Sequence, residues 1–114
     1  MDSKFQIFKS TANKQYYYRL RAKGNHEPIL SGEGYTTKQS CLTGIASVKL
    51  NAPFDSRYER KNGIGNYTFN LKAGNGEIIG RSENYTSEAN RENGISAVKR
   101  DAPGAPIEDL TGEK

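Results

Sequence analysis

Two stretches of this chain alternate apolar and polar side chains residue by residue. In the first, Tyr16, Tyr18, Leu20 and Ala22 fall on one side and Tyr17, Arg19 and Arg21 on the other. In the second, Tyr67, Phe69, Leu71 and Ala73 stand against Thr68, Asn70 and Lys72. A period of two puts successive side chains on opposite faces of an extended chain, so each stretch predicts a half-buried strand. The pair is expected to form the two central strands of one sheet. Shorter strand-like runs flank them at residues 5–9, 28–31, 58–61 and 77–81. Turn chemistry separates the runs: residues 10–14, Lys23-Gly24-Asn25, residues 62–66, and Gly74-Asn75-Gly76, which suits a type I′ hairpin turn. Pro28 lacks an amide donor, which places it at a strand start or an edge. Residues 1–3 are expected to fray.

The period changes after residue 35. Cys41, Ile45 and Val48 recur at i, i+4 and i+7, one stripe of a helix. Thr36 is the expected N-cap, with Gln39 three residues on completing a capping box. Asn51-Ala52-Pro53 ends the helix, because proline disfavours helical geometry in the residue before it. A second helix follows Tyr85-Thr86 and is stopped by Asp101-Ala102-Pro103. Gly44 and Gly94 fall mid-helix, where glycine costs about 1 kcal/mol against alanine. The expected reason is close approach of the helix backbone to its neighbours. Residues 104–114 offer little apolar surface and a net charge of −2, and are expected to form a disordered tail.

The pattern is written twice. Shifted by 50, residues 25–53 match residues 75–103 at 12 of 29 positions, where ordinary residue frequencies would give about two. The central strands match at a shift of 51, so the first hairpin turn holds one extra residue. The chain is thus two copies of strand–strand–strand–helix, about residues 4–53 and 54–103. A unit of about 50 residues buries too little to be secure alone. The two are expected to merge into a single α+β domain, with one six-stranded antiparallel sheet and both helices on one face.

The motifs Tyr18-Arg19-Leu20-Arg21-Ala22 and Phe69-Asn70-Leu71-Lys72-Ala73 each precede a glycine/asparagine turn. With Ser82-Glu83-Asn84-Tyr85-Thr86-Ser87 and the pair Gly44-Ile45-Ala46-Ser47-Val48-Lys49 and Gly94-Ile95-Ser96-Ala97-Val98-Lys99, the doubled pattern resembles the YegP-like family of small bacterial proteins. The resemblance covers about residues 4–103. It implies a β3-α unit duplicated into a single sheet, with each helix exchanged onto the other repeat's strands, and single-repeat relatives that build the same object as homodimers. The family has no established activity, so it supplies no functional residues.

Composition narrows the picture. Only 33% of residues are hydrophobic, and there is no tryptophan, so the core should be thin and rich in tyrosine and phenylalanine. The net charge of +4 is uneven: +5 over residues 1–53 and +1 over residues 54–103. Such a basic excess favours polyanions weakly and does not by itself identify a nucleic-acid binder. A single cysteine excludes an internal disulfide, no stretch reads as a signal peptide, and no apolar run approaches a membrane span. The expected setting is soluble, reducing and cytoplasmic.

Candidate chemistry is sparse. His26 lies in the first hairpin turn, where an exposed position is expected. With one histidine and one cysteine the chain cannot assemble four nitrogen and sulfur ligands for zinc. No nucleophile–histidine arrangement has local support. Cys41 shares the helical stripe and is expected to be a small buried hydrophobe. Glu33 and Glu83 recur before each helix, where a carboxylate is favoured by the helix dipole. Gly74-Asn75-Gly76 lacks the strand-to-helix setting of a phosphate loop. No catalytic residue, metal or cofactor is therefore expected. The remaining candidate is the helix-free sheet face, where Tyr17, Arg19, Arg21, Asn70 and Lys72 look outward, with Thr68 and Phe8 beside them. An aromatic ring among arginines on an open sheet can stack bases and pair phosphates. The expected function is a small non-enzymatic binding or association domain, working as a monomer, with nucleic acid or another protein as partner. An enzyme would need a cleft of converging polar groups that the sequence does not display.

Overall fold

The computed structural model describes residues 3–22, 24 and 27–113. Strands β1 (Lys4–Lys9), β2 (Tyr16–Arg21) and β3 (Pro28–Ser31) lead into helix α1 (Lys38–Asn51). Strands β4 (Tyr58–Gly63), β5 (Asn66–Lys72) and β6 (Ile78–Arg81) lead into helix α2 (Glu88–Asp101), and a short strand β7 (Ile107–Asp109) follows. The strands form one sheet in the order β4-β5-β6-β3-β2-β1-β7. Six strands pair antiparallel, and β7 runs parallel to β1.

The alternation predicts the buried helix-side row, but Asn70 of the outward row is buried too, and the strand order differs from expectation. Tyr18, Leu20, Phe69 and Leu71 are buried with Phe5 and Ile7 beneath Ile45, Val48, Ile95 and Val98 of the helices, in one core. The two central strands are not β2 and β5 but β3 and β6, paired at Ser31 and Arg81. Missing side chains let this seam close. A Cβ on Gly32 would strike the Tyr18 ring, and one on Gly80 would meet Leu30 at 2.8 Å. Tyr18 also donates its hydroxyl hydrogen across the seam to the carbonyl of Ile79. Each helix touches both repeats: α1 lies on β1 and β2 but also on β5 and β6, and α2 on β5 and β3. The helices straddle the seam rather than moving wholly onto the other repeat's strands.

The expected disordered tail is instead ordered, and it supplies the seventh strand. The chain leaving α1 enters β4, the first strand of the second repeat. The chain leaving α2 would by symmetry enter the matching slot, but β1 already fills it. β7 therefore takes the next place outside β1 and keeps the same direction. It is held by backbone and charge rather than by apolar area. Phe5 donates its N–H to the Pro106 carbonyl at 2.8 Å, and Leu110 to the Ile7 carbonyl at 2.8 Å. Lys38 pairs with Asp109, Lys4 with Glu108 at 3.3 Å, and the Tyr16 hydroxyl donates to Glu113 at 2.6 Å.

Local details differ from expectation in four places. The cap of α1 is Thr37, whose hydroxyl accepts from the Ser40 N–H, not Thr36; Ser87 caps α2 in the same way. Gly74-Asn75-Gly76 is not a type I′ turn, because only Gly76 has positive φ (88°), with its N–H donating to the Ala73 carbonyl. Asn62 and Gly63 remain in β4, so that hairpin turns tightly at Ile64 and Gly65. Ser3 is not frayed: it is buried, and its hydroxyl donates to Asp101 at 2.9 Å. Met1, Asp2, Lys23, Asn25 and His26 lie outside the described residues.

Candidate binding face

The strand register lines up one residue from every strand across the helix-free face. In order the row reads Glu59, Asn70, Arg81, Ser31, Arg19, Gln6 and Glu108. Directly paired residues share a face, so these side chains stand side by side. The row is acidic at both ends and basic through the middle.

The first repeat's half of the face is a tied cluster. Phe8 and Tyr17 stack at 5.9 Å between ring centroids, 18° apart in plane. The Arg19 guanidinium lies over the Phe8 ring at 4.6 Å. Arg19 and Arg21 both donate through Nε to Gln6 Oε1, at 3.0 and 2.6 Å. Gln6 in turn donates to Glu108 at 2.7 Å. Burial, and after it the neighbouring Arg21 charge, lowers the pKa of Arg19 from its ordinary value. A guanidinium remains charged at neutral pH, so the cluster holds two fixed cations beside an aromatic pair.

The second repeat's half is different. Glu59 accepts from Asn70 at 3.0 Å and from Lys72 at 2.9 Å, and the Lys72 hydrogen bond is the first cause of its lowered pKa. The five expected residues therefore share one face but not one role. Tyr17, Arg19 and Arg21 are half-buried, with both arginines gathered on Gln6, while Asn70 and Lys72 are engaged with a neighbouring carboxylate. Arg81, at the middle of the row, was not read from the sequence. Among the described residues it pairs with Glu33 at 3.1 Å, both side chains more than half exposed, an arrangement of little energetic weight. Only the β3–β6 register places Arg81 beside Ser31 and Arg19.

The other candidates fall elsewhere. Cys41 is fully buried, and burial pushes its thiol up to about 11. Glu33 and Glu83 do not converge: Glu33 faces Arg81, while Glu83 lines a cleft of about 460 Å³ together with Glu27. Among the described residues no group of three or more histidine, cysteine or acidic side chains could hold a metal ion. No described helix is long and apolar enough to cross a membrane.

A family model described as a domain of unknown function (DUF1508) matches residues 12–59 and again residues 61–109. Each match runs from the strand before a hairpin, through a helix, into the strand that follows it. A UPF0339 protein of Bordetella pertussis is 53% identical over 98 residues, 85% of this chain and 87% of that protein. The solution structure of a UPF0339 protein from Shewanella oneidensis superposes with a TM-score of 0.89 at 40% identity, covering 99% of this chain and 95% of that one. That of the yegP protein of unknown function from Escherichia coli gives 0.88 at 43% identity, covering 100% and 97%.

Proposed function

Since the chain belongs to the DUF1508 family, whose relatives bear names that state no activity, we propose a function from its own geometry: a non-enzymatic domain that binds single-stranded nucleic acid on the helix-free face. The observation that carries this reading is the register row. It sets Arg81, Ser31 and Arg19 side by side in mid-sheet, next to the Phe8–Tyr17 stack, with Glu59 and Glu108 at the ends and Glu33 beside Arg81. Arginines meet phosphates, and an exposed ring on a sheet offers a base a stacking surface. In the same reading each helix serves strands of both repeats. The chain then acts as a dimer of repeats in one polypeptide, a monomer in the cytoplasm.

Fluorescence anisotropy with a labelled short single-stranded RNA tests it. Binding is expected at low salt, with log Kobs falling against log salt at a slope of about −2 if Arg19, Arg21 and Arg81 each neutralise one phosphate. Arg19→Ala/Arg21→Ala should abolish it, and Arg81→Ala should weaken it and flatten the slope. Absence of binding at low salt, or variants that bind like the parent, would sink the reading.

A further inference from the structure

Two repeats of one sequence should treat equivalent positions alike, and around the helix N-termini they do not. In the first repeat Glu33, Thr37, Ser40 and Thr43 are engaged. Glu33 meets the Arg81 guanidinium at 3.1 Å, the Thr37 hydroxyl donates to the Ser40 hydroxyl at 2.8 Å, and Thr43 donates to the Gln39 carbonyl at 3.0 Å. The equivalent positions of the second repeat are Glu83, Asn90 and Asn93, and Ser31 stands where Arg81 would be needed. Among the described residues, no hydrogen bond or ion pair reaches the side chain of Glu83, Asn90 or Asn93. The Tyr85 hydroxyl beside them is buried without a partner.

These groups line one cleft of about 460 Å³ together with Ala22, Glu27, Ile29, Gly94 and Ala97. That size falls within the range of small-molecule sites. Burial, and then the Glu27 charge, raises the pKa of the Glu83 carboxyl above its ordinary value. The cleft thus combines an exposed carboxylate and two exposed side-chain amides with Ile29 and the half-buried Tyr85 ring, and it lacks the guanidinium that Glu33 receives from Arg81.

We propose that this cleft binds a small guanidinium compound, with the guanidinium on Glu83 between Asn90 and Asn93 and an aliphatic stem along Ile29 and the Tyr85 ring. The planar fork can meet a carboxylate and flanking amide oxygens together, and at Glu33 the Arg81 guanidinium makes the carboxylate contact. A cation against an aromatic face adds attraction. The site is separate from the basic row and would survive failure of the nucleic-acid reading.

Titrating agmatine into the isotopically labelled full chain, followed by amide shifts, tests it. Saturable shifts are expected at Ala22, Gly94 and Ala97 and not at Gly44. Glu83→Gln should weaken binding by about tenfold or more. Ser31→Arg should abolish it by restoring from within the guanidinium that the second repeat lacks. Both variants should keep the parent's amide spectrum away from the cleft, which separates loss of binding from loss of fold. N-butylurea, of similar shape without the charge, should produce no saturable shift. The proposal is overturned by an absence of saturation up to about 10 mM agmatine, by equal binding to Ser31→Arg, or by an equal response to N-butylurea.

Discussion

Gly44 and Gly94 lie on the buried stripes of their helices, and a Cβ on either would strike the hydroxyl of Tyr35 or Tyr85. Each of those tyrosines bridges back to the sheet, at Tyr16 or Tyr67, just before its helix begins. The bare helix position and the ring are one device used twice. Alanine at position 94 would gain about 1 kcal/mol of helix propensity, but displacing the ring should cost about 1–3 kcal/mol. Gly94→Ala is therefore expected to lower stability, and adding Tyr85→Phe to recover part of it, since the hydroxyl is struck first. Tyr85→Phe alone removes a buried hydroxyl without a partner and should be neutral or stabilising by up to about 1 kcal/mol. Denaturant midpoints check all three; a Gly94→Ala chain as stable as its parent would show that the ring does not need the space. Residue by residue, the candidate site was only partly legible. Alternation told which way Arg19 and Lys72 point, but not that Gln6 gathers both arginines or that Glu59 occupies Lys72, because those partners come from other strands.

Among the elements, β7 was the least legible, and its chemistry explains why. All three of its residues are exposed, so no apolar alternation announces it. It is fixed by backbone pairing and by carboxylates set against basic side chains of the first half. The hydrogen bond from Lys38 is the largest cause holding Asp109 down at about 2. Gln6 and then Lys4 lower Glu108, and the Tyr16 hydroxyl is the first cause lowering Glu113. Each of these carboxyls is held below its own ordinary value, which is about 4. Their contribution to attachment is therefore complete above that value and is lost as pH falls from about 4 towards about 2. Protection from hydrogen exchange at the Leu110 and Phe5 amides, which close β7 onto β1, taken relative to the intrinsic rate at each pH, should fall across this window before that of the core amides of β2 and β5. Protection at β7 that ignores pH, or that changes only together with the core, would show that the carboxylates do not hold the strand. Added salt should act in the same direction as acid, because the pairs are exposed.

At the scale of the molecule, the duplication and the buried face were legible because both are written in local periodicity. The strand order was not, because it depends on which edges fit. That fit rests on absences, Gly32 under Tyr18 and Gly80 under Leu30, which in the sequence look like ordinary turn and strand glycines. The seam they permit is short in register, Ser31 against Arg81, but it is crossed by the Tyr18 hydroxyl and covered by both helices. Coupling between the halves should thus come from the shared core more than from the central ladder. Leu20 and Leu71 are fully buried in that core, one from each repeat. Truncating either to alanine should cost about 2–5 kcal/mol. If the core is one cooperative body, Leu20→Ala must reduce the exchange protection of the slowest β5 amides by the same free energy as those of β2, and Leu71→Ala must do the converse. Two independently stable halves would instead confine each loss to the strand that carries the substitution. Native-state hydrogen exchange on the two variants separates these outcomes. An unchanged β5 in Leu20→Ala would mean that the repeats share a sheet without sharing their stability.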